Sequence, residues 1–207
     1  EQENVFYYIT CMNENYAHPS LPEDAREGII RGIYKFRSGG KGKVRVNLLG
    51  AGTILREALA AADMLESEFG VPADVFSVTS FSELRREALD IERWNLLHPD
   101  APPRTSFVGR CLARAEGPFI AATDYMRTVP DQIRQWVPGP FYSLGSDGYG
   151  RSDCRADLRD FFEVDRRYIV LAALRSLADT DQMDMATVTS AIERFEIDPE
   201  KANPIYV

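Results

Sequence analysis

Histidine and cysteine are scarce in this chain: two of the former and three of the latter among 207 residues. Cys11, Cys111 and Cys154 are odd in number, far apart and form no C-x-x-C pair, which excludes a zinc site or a disulfide framework. Reduced thiols of a cytoplasmic protein are the plain reading. His98 precedes Pro99 at what should be a helix end, where a cation suits the helix dipole, so a structural cap is expected there. His18 lies in a polar, proline-containing run without a partner motif. Positive charge is also in deficit, with 24 Lys and Arg against 32 Asp and Glu and a formal net charge of −8. A phosphate-backbone partner needs clustered cations, so nucleic acid is not expected. No apolar run approaches the ~18 residues of a membrane span, and no basic-then-apolar leader points to secretion. The chain opens on Glu1 rather than Met and runs almost at once into a strand-like segment, as expected of a piece of a longer protein.

What is present is ordinary for a folded domain: 44% hydrophobic and 27% charged residues. Val5 to Thr10 is rich in β-branched and aromatic residues and reads as a strand apolar on both faces. A polar run with Pro19 and Pro22 follows, then a stretch of mixed propensity from Gly28 to Phe36, then Ser38-Gly39-Gly40-Lys41-Gly42 as a flexible linker. The first forty residues are too few to bury a core of their own. The expected organisation is therefore 1–20 as the end of a preceding domain, 21–42 as a linker, and 43–207 as the domain proper.

From Lys43 onward, strand and helix alternate. Val44–Leu49, Asp74–Thr79, Phe119–Thr123 and Phe141–Leu144 read as strands. Thr53–Phe69 carries apolar residues at helical spacing and closes at Gly70. Ser80 and Glu83 have the spacing of a capping box for a helix reaching towards His98. Thr128 and Pro130 open a short helix containing Ile133, Trp136 and Val137. Asp165 is placed to cap Tyr168–Leu177, apolar nearly all round and so expected to be buried, and Met185–Phe195 repeats the helical period. Repeated strand–helix units imply an α/β fold with a mostly parallel sheet and helices on both faces.

Three constellations could carry chemistry. Gly50-Ala51-Gly52 turns from strand to helix, as phosphate-binding loops do. However, Leu55 stands where a third glycine is needed, and Val78-Thr79-Ser80 lacks an acid for a ribose hydroxyl, so a tight turn explains it better. The second lies in the glycine-bearing loop after Phe141–Leu144, where α/β proteins put ligands and partners. Asp147, Arg151, Asp153, Arg155, Asp157 and Arg159 alternate in sign there, which predicts a self-paired, solvated face ahead of a partner site. The third, Glu92-Arg93-Trp94-Asn95-Leu96-Leu97-His98-Pro99, ends a helix and suits ordinary packing.

Taken in order, Val78-Thr79-Ser80-Phe81 with Glu83-Leu84, Arg93 through Pro99, Thr123-Asp124-Tyr125-Met126, and Gly145 through Asp153 resemble the carboxyl-terminal domain of the homodimeric pyruvate dehydrogenase E1 family, thiamine-diphosphate enzymes of the transketolase superfamily. Val5–Thr10 with Asn13-Glu14-Asn15-Tyr16 resembles the end of that family's middle, pyrimidine-binding domain. Glu27-Gly28-Ile29 and Gly32-Ile33-Tyr34 resemble the connection onward. The resemblance covers essentially the whole chain. It implies a three-layer α/β/α sandwich on a mostly parallel five-stranded sheet, preceded by a strand from the previous domain.

It also implies a setting. In that family, thiamine diphosphate with Mg²⁺ attacks the keto carbon of pyruvate, carbon dioxide leaves, and the two-carbon unit passes to the lipoyl group of the E2 acyltransferase. The cofactor and proton-handling residues belong to the amino-terminal and middle domains. Asp147-Gly148 is similar to the opening of the thiamine-diphosphate motif, yet Ser146 replaces its first glycine and no Asn follows before Asn203. No residue of this chain is therefore assigned a catalytic, cofactor-binding or metal-ligating role. The expectation is a non-catalytic, dimer-supporting terminal part of a cytoplasmic homodimer, with the preceding domains and E2 as partners. A nucleotide-binding module on the Gly50 turn and a stand-alone interaction domain are the alternatives.

Overall fold

The computed structural model describes residues 3–9 and 14–207. Five strands, β1 (Ile33–Arg37), β2 (Val46–Ala51), β3 (Ala73–Val78), β4 (Phe119–Ala122) and β5 (Phe141–Leu144), form one sheet. Their order is β1-β3-β2-β4-β5; β1 runs antiparallel to β3 and the other pairings are parallel. The helices are α1 (Ala25–Arg31), α2 (Leu55–Phe69), α3 (Phe81–Leu97), α4 (Phe107–Leu112), α5 (Thr128–Asp131), α6 (Arg155–Phe161), α7 (Arg166–Ala178) and α8 (Met185–Arg194).

Strand periodicity explains the layers. Successive side chains point to opposite faces, and every residue of β2, β3 and β4 is buried, so both faces need cover. Val46, Leu48, Val75, Ile120 and Leu144 pack on one side with apolar residues of α2, α7 and α8. Leu49, Phe76, Phe119, Ala121 and Phe141 pack on the other with α3 and α4. Fully burying a side chain such as Leu48 or Ile120 contributes about 1.5–3 kcal/mol, so these two clusters supply most of the cohesion. The α7 segment buries eight of its thirteen residues, as its nearly continuous apolar sequence requires.

Local signals mostly act as the sequence suggests. Ser80 Oγ accepts from the Glu83 amide at 3.1 Å, but the Glu83 carboxylate turns to Arg86, so only half of the capping box forms. Asp165 accepts from the amides of Arg167 and Tyr168 and caps α7. Gly70 ends α2 in the left-handed region at φ 65°. At Gly50 the reason for glycine is space: a Cβ would lie 2.6 Å from Leu55 Cα, where α2 leaves the sheet.

Three expectations change. The fifth strand, β1, lies inside residues 21–42, which were read as a linker, and α1 precedes it. Its Lys35 and Arg37 belong to a half-exposed edge, pairing with Asp74 at 2.7 Å and Asp63 at 2.8 Å, so charge masked its strand character. The Ser38–Gly42 segment is anchored where the Gly39 amide donates to Asp74 at 2.9 Å. Lastly, Val5–Ile9 forms no strand in this structure, and Thr10 lies outside the described residues. A strand needs a partner backbone; here Phe6 and Tyr8 are 92% and 89% exposed.

The Gly50 contact generates a test of the packing. Gly50→Ala should lower the free energy of unfolding by about 1–3 kcal/mol through overpacking, read from the urea midpoint. An unchanged midpoint would show that α2 can move away from the sheet at little cost.

Candidate functional site

The carboxyl ends of the parallel strands converge where the chain changes direction. After β2 the chain passes through a 3-10 turn, Gly52–Ile54, into α2 on one face of the sheet; after β4 it passes into α5 and on to β5. β2 and β4 are neighbours, so a crevice opens between their connections, the usual ligand position in open α/β sheets. Thr53, Asp124, Ser146, Arg151, Arg155 and Arg159 are among the residues lining a cleft of about 280 Å³ there.

Backbone and side-chain bonds hold the loops around it. The Ser146 amide donates to the Tyr125 carbonyl at 2.8 Å. Asp147 accepts from the Arg127 amide at 3.2 Å and lies 3.4 Å from the Arg127 guanidinium. Gly148 has φ 104°, and a Cβ there would stand 2.1 Å from the Pro204 carbonyl, so the segment around Pro204 presses directly on this loop.

Arg159, one of the lining residues, is held by a buried acid that the sequence reading did not single out. Glu57 of α2 is 4% exposed. Its carboxylate accepts from Arg159 at 3.1 Å, from the Arg166 guanidinium at 2.9 and 3.2 Å, and from the Arg166 amide at 3.2 Å. Burial alone would raise the Glu57 carboxyl; the bonds and charge of Arg166, then the charge of Arg159, outweigh it and hold the group below its ordinary value. Arg166 is raised in turn, chiefly by its hydrogen bond to Glu57. One signal was available: Glu57 sits among Ile54, Ala58 and Ala61, on the face of α2 that meets the core.

Members of the alternating cluster reach outside it, where pairing within the cluster was expected. Arg159 reaches Glu57, Asp147 reaches Arg127, and Arg155 lies 3.6 Å from Glu14. Arg151 faces the Phe161 ring at 5.2 Å. His98 caps α3: its Nδ1 lies 2.8 Å from the Trp94 carbonyl and its ring stacks on Trp94 at 4.4 Å, while Arg104 covers the Trp94 ring at 3.5 Å. The Trp94 phrase is thus a packing unit, as expected. His18 is exposed. Cys111 and Cys154 are free thiols, the first pushed up by burial, and Cys11 lies outside the described residues.

Donor chemistry argues against Mg²⁺, and so against a Mg²⁺-held thiamine diphosphate, being bound here. Among the described residues the group with metal-ligand spacing is Asp153, Cys154 and Asp157, all exposed. Mg²⁺ takes oxygen ligands in strict octahedral geometry, whereas this trio includes a thiol that lies 3.0 Å from Asp157, and Asp153 is turned to the Cys154 amide. Asp147, the one motif-like acid, is committed to Arg127.

The model of the Transketolase-like TK C-terminal domain matches residues 32–165. The chain is 54% identical over 207 residues to the pyruvate dehydrogenase E1 component of Pseudomonas aeruginosa and 50% identical to that of Escherichia coli K12, in each case over 99% of this chain. It spans only 24% and 23% of those two relatives. Among solved structures, a transketolase variant from Pichia stipitis superposes with a TM-score of 0.53 at 17% identity, covering 80% of this chain and 21% of that one. That likeness concerns the fold alone.

The Glu57 clamp has a pH signature. Its folded pKa lies below the unfolded one, so its contribution is complete above the ordinary Glu range and is lost as pH falls through the folded value. Glu57→Gln should therefore cost about 1–3 kcal/mol at neutral pH and flatten the acid limb of the stability curve. A variant with the parent's acid limb would show that Glu57 contributes nothing through its charge.

Proposed function

Since the chain belongs to the Transketolase-like TK C-terminal domain family, we propose that it is the terminal, dimer-supporting part of a pyruvate dehydrogenase E1. The full-length enzyme oxidatively decarboxylates pyruvate and hands the acetyl unit to the lipoyl group of E2, with thiamine diphosphate and Mg²⁺ as its cofactors. The observation that carries this reading is the 54% identity over 99% of the chain to the Pseudomonas aeruginosa E1 component. None of the present residues is assigned a role in that chemistry, in keeping with the paired state of Asp147 and the donor set around Cys154. Cytoplasmic location and homodimer formation belong to the same proposal; no helix among the described residues is long and apolar enough to cross a membrane.

The domain organisation follows. Residues 1–20 end the preceding, pyrimidine-binding domain, residues 21–42 connect and lay β1 onto the sheet, and 43–207 complete the terminal domain. Val5–Ile9 supports this division, because an exposed apolar run with no charge inside it is suited to a partner strand. Its ladder would be supplied by the preceding domain.

Two measurements test the reading. Titration calorimetry of the 207-residue chain with thiamine diphosphate and Mg²⁺ should give no saturable heat, while the full-length protein decarboxylates pyruvate; micromolar cofactor binding by the chain alone would overturn the assignment. Amide exchange at Phe6–Ile9 should be fast in the 207-residue chain and strongly slowed in the full-length protein. Equal rates in both would remove the strand from the preceding domain.

A further inference from the structure

We propose that the cleft between the β2, β4 and β5 connections is a binding site for a small phosphorylated polyol, independent of any thiamine chemistry. The cleft is lined by two kinds of charged group, guanidiniums and a carboxylate. Arg151 is exposed and, among the described residues, has no carboxylate within ion-pair distance; its guanidinium faces the Phe161 ring. Arg159 also lines the cleft, its guanidinium anchored on Glu57 at 3.1 Å. Arg155 also lines it, 3.6 Å from the half-exposed Glu14. Planar guanidiniums in such a group match the oxygens of a phosphate.

Asp124 supplies the complementary chemistry. It is exposed, lines the same cleft and takes part in no ion pair among the described residues. Its Oδ1 lies only 3.8 Å from where a Cβ on Gly52 would be, so the carboxylate stands beside the turn that leads into α2. An ionised carboxylate only accepts hydrogen bonds, which suits ligand hydroxyls and rejects a second phosphate. Thr53 and Ser146 add hydroxyls, and Ile54 and Leu158 add apolar lining. At about 280 Å³ the cleft lies just below the ~300–1,000 Å³ of drug-sized ligand pockets. That favours a body of a few carbons over a nucleotide.

The test uses the full-length protein with thiamine diphosphate and Mg²⁺ in excess, so that its cofactor site cannot take up the probes. Glycerol 3-phosphate, inorganic phosphate and glycerol are titrated separately, and amide exchange is followed over residues 145–159 and 52–56. Glycerol 3-phosphate should slow exchange saturably in both segments, binding about tenfold tighter than inorganic phosphate, with glycerol silent. Arg151→Ala should weaken both phosphate compounds about tenfold, Asp124→Ala should abolish the advantage of glycerol 3-phosphate, and Arg86→Ala on distant α3 should change neither. Absence of saturable protection, or no effect of Arg151→Ala or Asp124→Ala, overturns the proposal. So does equal affinity for phosphate and glycerol 3-phosphate, which would mean an adventitious ion only. These outcomes are separate from the pyruvate assay, so failure here leaves the reading of the whole enzyme intact.

Discussion

One carboxylate ties the amino-terminal half of the domain to its carboxyl-terminal half. Glu57 is the buried acid on the core face of α2, and its partners arrive from α6 and α7, more than a hundred positions later in the chain. An isolated ionised carboxylate at that depth would be costly. Two guanidiniums and a backbone amide offset the loss of water, and the amide belongs to the first residue of α7. The start of α7 is thereby fixed against α2. Since both helices cover the same side of the sheet, the connection from Gly145 to Asp165 is held at its far end as well as where it leaves β5.

Most of the sheet was legible in the sequence. β3, β4 and β5 were readable to within a residue or so at each end, because buried parallel strands leave short apolar runs between helices. β2 was placed about two residues early, since Val44 and Arg45 extend the run before the ladder begins. β1 was not readable: with Lys35 and Arg37 among five residues, it has the composition of a connection, and its strand character appears only once β3 lies beside it. Caps were readable at Ser80 and Asp165 because they depend on neighbours three residues away or fewer.

The charged groups were the opposite case. Alternating signs from Asp147 to Arg159 suggested pairing between near neighbours, but the partners are Arg127, Glu14 and Glu57, chosen by the fold and not by sequence distance. The Trp94 segment shows another limit. Its unusual run of residues marks a family, yet the ring of Trp94 is filled on its two sides by His98 and Arg104. A distinctive phrase can therefore record a packing solution and carry no chemistry.

The sheet ends differently at its two edges, with a common result. At one edge β1 is irregular between Lys35 and Arg37 and places both cations along its rim. At the other, β5 has four residues, its Phe141 carbonyl accepts from Arg134 at 2.7 Å, and its Ser143 hydroxyl is held by Asp131 at 2.7 Å. Charge, irregularity and brevity are the means by which proteins keep edges from recruiting foreign strands. Among the described residues the sheet has five strands, and both of its edges are poorly suited to a sixth. Whatever else adjoins the domain has to recognise it through helix faces and loop side chains, where a single substitution can alter the fit, and not through a continuous backbone ladder that any extended segment could join.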